Sequence, residues 1–361
     1  MLDMILQWGL FGPAILIAIG MAILVGGGET LVRGASQLAV ALKIPPAIVG
    51  LTIVAFGTSA PELAVSLCAV LQESADLAVG NVVGSNICNI GLILGIAALL
   101  HPIDISSSLI RREIPLMVAV TFLMYLLSVL GARMSESPLF SHQVEGLIFP
   151  WMGGVLVAIL IANVGWTIYE LRCRKKGNEE YVQELEKNIP PDAELADGKS
   201  NGWRSVLVHL LLVTTGVVLL VVGSDLMIQG SVQFARLMGV SELFIGLTIL
   251  AVGTSLPELC VTIIAAIRGS SDIAIGNVIG SNIFNVLGVL GITALFSGHT
   301  VAGGLQVTAQ ALQFDMWVMI VMSLSCVVIC MTDRKVTRGE GVFLLLCYTA
   351  YVAALCMMAG Q

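Results

Sequence analysis

Gly50-Leu51-Thr52-Ile53-Val54-Ala55-Phe56-Gly57-Thr58-Ser59-Ala60-Pro61-Glu62-Leu63 returns 196 residues later as Gly246-Leu247-Thr248-Ile249-Leu250-Ala251-Val252-Gly253-Thr254-Ser255-Leu256-Pro257-Glu258-Leu259. At that fixed offset, without gaps, residues 50–96 and 246–292 agree at 27 of 47 positions. The agreement runs on through Asp76, Gly80-Asn81-Val82, Gly84-Ser85-Asn86-Ile87 and Asn89. Weaker echoes precede it: Gly27 with Gly223, Glu29 with Asp225, Gly34 with Gly230. Chance likeness between apolar stretches would align Leu with Ile or Val with Ala, not Thr, Ser, Pro, Glu and Asn. The sequence reads as a duplication.

Around these landmarks the chain is too apolar for water. Of 361 residues 57% are hydrophobic and 11% charged, against roughly 25% charged in a soluble domain. That excludes a soluble enzyme, a disordered chain and a nucleic-acid binder with a basic face. Apolar stretches cover residues 4–28, 44–71, 77–100, 114–132 and 146–169, then 205–224, 243–267, 273–296, 316–332 and 341–360. Their lengths suit a bilayer crossing, which takes roughly 20 residues. The predicted fold is an all-α integral membrane protein with ten transmembrane helices in two five-helix repeats. Five is odd, so the second repeat enters the membrane inverted. Glu62 and Glu258 then approach the midplane from opposite sides, the arrangement of secondary transporters.

With the N-terminus outside, 15 of the 17 Lys and Arg fall on one face, the cytoplasmic one by the positive-inside tendency. Both termini are therefore expected outside. Residues 1–171 form the first repeat and 204–361 the second. Residues 172–203, polar, of mixed charge and containing Pro190-Pro191, read as a cytoplasmic linker. The eight cysteines show no paired spacing. The first apolar run lacks a basic leader and reads as a membrane span, not a cleaved signal.

The repeated motif carries oxygen. A proline within a helix removes one donor and clashes with the carbonyl four residues earlier, so Pro61 should free Gly57 and Pro257 should free Gly253. Freed carbonyls cannot face lipid and must line a polar cavity or bind something. Thr58, Ser59, Thr254 and Ser255 add hydroxyls, and Glu62 and Glu258 add carboxylates: hard ligands of the kind alkali and alkaline-earth cations take. Ser85 and Asn89, four apart, share a helix face, as do Ser281 and Asn285. Carboxylates at membrane depth mark ion or proton pathways, and two negative charges match one divalent cation. Glu29 and Asp225, near the expected cytoplasmic and outer faces, read as structural hydrogen-bonding or ion-pairing groups, with the flanks of an access route as the alternative; Asp76 and Asp272 read as residues favouring the N-terminus of the next helix.

The paired Gly-Thr-Ser-x-Pro-Glu and Gly-Ser-Asn-Ile-x-Asn motifs resemble the alpha-repeats of the cation/calcium exchanger superfamily, and of its short prokaryotic sodium/calcium antiporters in particular. The resemblance spans nearly the whole chain. It implies calcium ligands at Glu62 and Glu258 helped by Thr58 and Thr254, and sodium held by oxygens of Ala55, Ser59, Ser85, Ala251, Ser255 and Ser281. Asn89 and Asn285 would be further polar positions at the edge of the cavity. The long first and sixth helices would slide across the other eight to alternate access. One departure bears on coupling. Some exchangers of this superfamily carry Asp where this chain has Asn285, so the site here holds at most two carboxylates. Two charges neutralise one calcium, whereas three sodium ions would leave a surplus positive charge in low dielectric.

The expected function is therefore calcium–sodium antiport, with calcium moved outward. A proton-coupled exchanger of calcium or another divalent ion is the alternative, and a cation channel is disfavoured because broken helices in inverted repeats suit alternating access. No Ser–His or paired-Asp arrangement supports an enzyme. No cofactor is expected. The partners are transported Ca2+ and Na+ (or H+) and the bilayer, with no nucleic acid. A monomer is compatible with the sequence, and a prokaryotic inner membrane is the expected location.

Overall fold

The structure is a computed structural model that describes residues 9, 11–42, 44–72, 75–107, 109–134, 144–174, 203–238, 251–300, 303–332 and 334–359. Helix α1 spans Phe11–Leu42; α2, Pro46–Thr58, and α3, Ala60–Leu71, form one segment bent by 42°. There follow α4 (Asp76–Leu100), α5 (Leu109–Met134), α6 (Pro150–Arg174) and α7 (Trp203–Leu237). A single turn, α8 (Ala251–Gly253), leads to α9 (Leu256–Ile267), α10 (Ser271–Leu295), α11 (Ala311–Thr332) and α12 (Arg338–Ala359). Among the described residues eight helices are long and apolar enough to cross a membrane, and the bent α2–α3 segment makes nine. The expected seventh span, 243–267, is described only from Ala251, and most of the expected linker, 175–202, lies outside the described residues.

Helices α4 and α10 form the centre. Most of their apolar lengths, 78% and 89%, are buried inside the protein, against 22% for α7 and 11% for α12. Between helices in lipid there is little hydrophobic driving force, so close packing through small residues takes its place. A methyl placed on Gly276 would lie 2.8 Å from the Ala47 carbonyl, and one on Gly280 2.6 Å from that of Leu51. These glycines let α10 touch the backbone of α2.

Helices α1 and α7 pair antiparallel along glycines spaced by seven: Gly20, Gly27 and Gly34 against Gly216, Gly223 and Gly230. A methyl on Gly27 would stand 2.9 Å from the Leu220 amide, and one on Gly223 2.8 Å from that of Leu24. Both sets obey the 196-residue offset. At 32 and 35 residues and about 1.5 Å per residue, the pair is longer than the roughly 30 Å hydrocarbon core.

The expectation of an entirely helical chain needs one correction. Two short antiparallel ribbons join loops from opposite halves: β1 (Ile103–Asp104) pairs with β4 (Lys335–Val336), and β2 (Val144–Ile148) with β3 (Leu305–Thr308). The span expected from residue 146 accordingly starts at Pro150, a residue suited to a helix's first turn because its missing N–H is not needed there.

Candidate cation site

The proline motif acts differently from an interior kink. Helix α2 stops at Thr58, Ser59 takes φ −84° and ψ 9°, and the chain restarts as α3 with Pro61 in its first turn. Ser255 (φ −88°, ψ 9°) and Pro257 repeat this before α9. Each break places a glutamate, Glu62 or Glu258, in the first turn of a new helix, where the dipole favours negative charge. Ser224 on α7 donates to the Gly253 carbonyl at 2.8 Å, so the oxygen that Pro257 would leave without a helical partner has a donor from a neighbouring helix.

The two carboxylates are 0% and 1% exposed. Each takes a hydroxyl from the opposite motif: Ser59 Oγ donates to Glu258 Oε1 at 3.0 Å, and Ser255 Oγ to Glu62 Oε1 at 3.3 Å. Their second oxygens, Oε2 of both, have no hydrogen-bond partner among the described residues. Nor does either carboxylate have an ion-pair partner within 4.0 Å there. A buried carboxylate left like this is costly unless a cation or a proton joins it.

The other expected positions gather on the same segments. Thr58 Oγ1 donates towards Asn277 Oδ1 at 3.2 Å and the Ala55 carbonyl at 3.3 Å. That Ala55 carbonyl also accepts the Ser59 amide at 3.0 Å, so it carries protein donors already. Ala251 opens the α8 turn, and Ser255 N–H bonds Val252 there instead. Thr254 Oγ1, Ser85 Oγ, Ser281 Oγ, Asn89 Oδ1 and Asn285 Oδ1 are all buried with no hydrogen-bond partner among the described residues. Asn89 and Asn285 each open a π-helical turn, 89–94 and 285–290, a local widening common at functional sites. The first turn packs on α9 and the second on α3. Thus every expected site residue lies in or beside the two helix breaks and the facing π turns.

Glu29 and Asp225 are elsewhere: Glu29 pairs with Arg268 at 3.0 Å, and Gln229 donates to Asp225 at 2.7 Å. Asp76 and Asp272 sit in helical first turns.

A model of the sodium/calcium exchanger protein family matches residues 12–169 and 208–357. The chain belongs to the sodium/calcium exchanger family. Within it, CaxA of Alkalimonas amylolytica, named as a candidate antiporter, is 38% identical over 93% of this chain and 96% of its own. The sodium/calcium exchanger MaX1 of Methanosarcina acetivorans is 34% identical over 94% and 97%. The solved sodium-calcium exchanger NCX_Mj superposes with a TM-score of 0.72 at 27% identity, covering 95% of this chain and 98% of that one. The exchanger-family chain is thus an integral membrane protein of a cation-transporting family.

Two hydroxyls of this family member, those of Ser66 and Thr262, escape the motif reading, and both meet asparagines of the repeated motif. Asn81 Nδ2 donates to Ser66 Oγ at 3.0 Å and to the Glu62 carbonyl at 3.2 Å. Asn277 does the same with Thr262, at 3.0 Å, and the Glu258 carbonyl, at 3.4 Å. Ser66 and Thr262 each stand four residues after a glutamate and are equivalent at the 196-residue offset. The shared hydroxyl was the available signal, hidden because the two residues differ in identity.

Proposed function

We propose that this exchanger-family chain is a secondary antiporter that exchanges calcium for sodium by alternating access, extruding calcium from a prokaryotic cytoplasm. Its site is Glu62 and Glu258 with Thr58, Thr254, Ser59, Ser255, Ser85, Ser281, Asn89, Asn285 and the carbonyls of Ala55 and Ala251. The architecture we assign is ten spans in two inverted repeats, 1–171 and 204–361, joined by a cytoplasmic linker at 172–203, with both termini outside.

One observation carries the site assignment. Two fully buried carboxylates, each bonded by a serine of the other motif, have no basic partner among the described residues and leave their outer oxygens uncompensated. A divalent cation balances that charge. The inverted duplication is supported by family matches that begin 196 residues apart and by ribbons that pair loops of opposite halves. The long α1–α7 pair, packed through glycine, fits a body that slides as a unit.

A specific observation favours a second coupling ion. No group of three or more His, Cys, Asp or Glu placed to hold a metal ion occurs among the described residues, so two carboxylates set the charge capacity of the proposed site. Two protons would replace one calcium without net charge movement. Calcium-45 uptake into proteoliposomes, driven in turn by a sodium gradient and by a pH gradient, separates the two. Sodium-driven uptake that carries current supports calcium–sodium antiport; uptake driven by pH alone and without current replaces it with proton exchange. Flux that needs no counter-ion and does not saturate would mean a channel.

A further inference from the structure

We propose that Asn86 and Asn282 are positioning residues that aim the side-chain carbonyls of Asn285 and Asn89 at the transported cation. This rests on the cation site proposed above. The four amides form a reciprocal set across the two repeats: Asn285 Nδ2 donates to Asn86 Oδ1 at 3.1 Å, and Asn89 Nδ2 to Asn282 Oδ1 at 3.0 Å. All four residues are at most 1% exposed.

What orients the set is three groups that only accept. Asn86 Nδ2 reaches the Asn282 backbone carbonyl at 3.3 Å and Met319 Sδ at 3.7 Å, and Asn282 Nδ2 reaches Met117 Sδ at 3.5 Å. Neither a carbonyl nor a thioether has a proton to give. The nitrogens of Asn86 and Asn282 must therefore face them, which leaves Oδ1 of each free to accept. That in turn fixes the nitrogens of Asn285 and Asn89, and their Oδ1 atoms stay buried without a hydrogen-bond partner among the described residues. Each chain of dipoles runs from a methionine on α5 or α11, through one asparagine, to an oxygen on the facing π turn. Aligned bonds of this kind reinforce one another in low dielectric.

The consequence is specific. An asparagine amide is nearly the same shape either way round, and turned over it would present N–H groups to a cation. Without an acceptor at position 86, no hydrogen bond among the described residues selects the correct face of Asn285. An aspartate at 285 has no wrong face, since both its oxygens accept.

The test is calcium titration of the purified full-length protein by calorimetry, together with the KM and maximal rate of calcium-45 uptake. Asn86→Leu should weaken calcium binding by about tenfold or more, the scale of one lost hydrogen bond to a charged centre. KM should rise more than the maximal rate falls. Adding Asn285→Asp should bring the affinity of the double variant back to that of Asn285→Asp alone. Asn282→Leu with Asn89→Asp repeats the experiment on the other half, and serves if Asn86→Leu gives no folded protein. Thermal unfolding in ion-free buffer separates packing from aim, because a packing defect lowers single and double variants alike. Unchanged affinity in both leucine variants overturns the proposal, as does a loss that neither aspartate rescues. Glu62→Gln is the control on the site itself: if that variant still transports calcium, the cation site is misplaced, whatever the asparagine variants do.

Discussion

Charge and reach can be separated at Glu62. Glu62→Gln keeps the shape of the side chain and its acceptor for Ser255 but removes the charge; Glu62→Asp keeps the charge and withdraws it by one methylene, about 1.5 Å. Calcium–oxygen distances span only about 2.3–2.6 Å, so that withdrawal is several times the tolerance. It would also stretch the Ser255–Glu62 bond from 3.3 Å to beyond about 4 Å, outside hydrogen-bonding range. If Glu62 is a ligand, both variants lose transport. If it is a neutral hydrogen bond between helices, glutamine imitates the protonated acid and transport survives. The second readout is thermal unfolding in detergent, with and without calcium at one hundred times the wild-type Kd. Ligand binding at that ratio stabilises by about 2.7 kcal/mol. For a chain of 361 residues this is roughly 3–4 °C in Tm on average unfolding entropies. Wild type should show the shift and both variants should lose it. A Glu62→Gln protein that keeps the calcium shift and the flux refutes the assignment.

Three further outcomes follow from the packing. Ser59→Ala should weaken calcium affinity more than Ser255→Ala does, because its bond is the shorter, 3.0 Å against 3.3 Å; the upper bound is the roughly 1.5–3 kcal/mol of a hydrogen bond to a charge, read by calcium titration. Gly223→Ala and Gly27→Ala should each lower thermal stability by about 1–3 kcal/mol through overpacking, since the added methyls would sit 2.8 and 2.9 Å from backbone nitrogen. Arg268→Gln, which breaks a pair to a Glu29 side chain 45% exposed, should cost under about 1 kcal/mol and make thermal stability less sensitive to salt.

Much of the candidate site was legible because polar residues stand out against an apolar background and recur at one offset. Glu62 and Glu258, Ser59 and Ser255, and Asn89 and Asn285 could be found without coordinates. Their cross-bonding could not. Which amide meets which depends on how two halves pack, and no local periodicity records that. Met117 and Met319 escaped for a related reason: they stand 202 residues apart, because loops of unequal length shift the register beyond residue 96. The ribbons were invisible since strands of two to five residues carry no alternation. Pro61 and Pro257 were read as interior kinks, yet a helix that bends at a proline and one that restarts there have the same local composition.

The glycine-lined pairing of α1 with α7 also has a bearing on how the protein is made. Gly20 packs on Gly223, a residue translated 203 positions later; at roughly 5–20 residues per second, the ribosome needs about 10–40 s to supply it. Through that interval the newly inserted first half holds Glu62 without its serine from the second motif and shows a bare glycine face to lipid. Biogenesis therefore has a built-in waiting period. A truncated first half should be the form that membrane quality-control proteases recognise and remove.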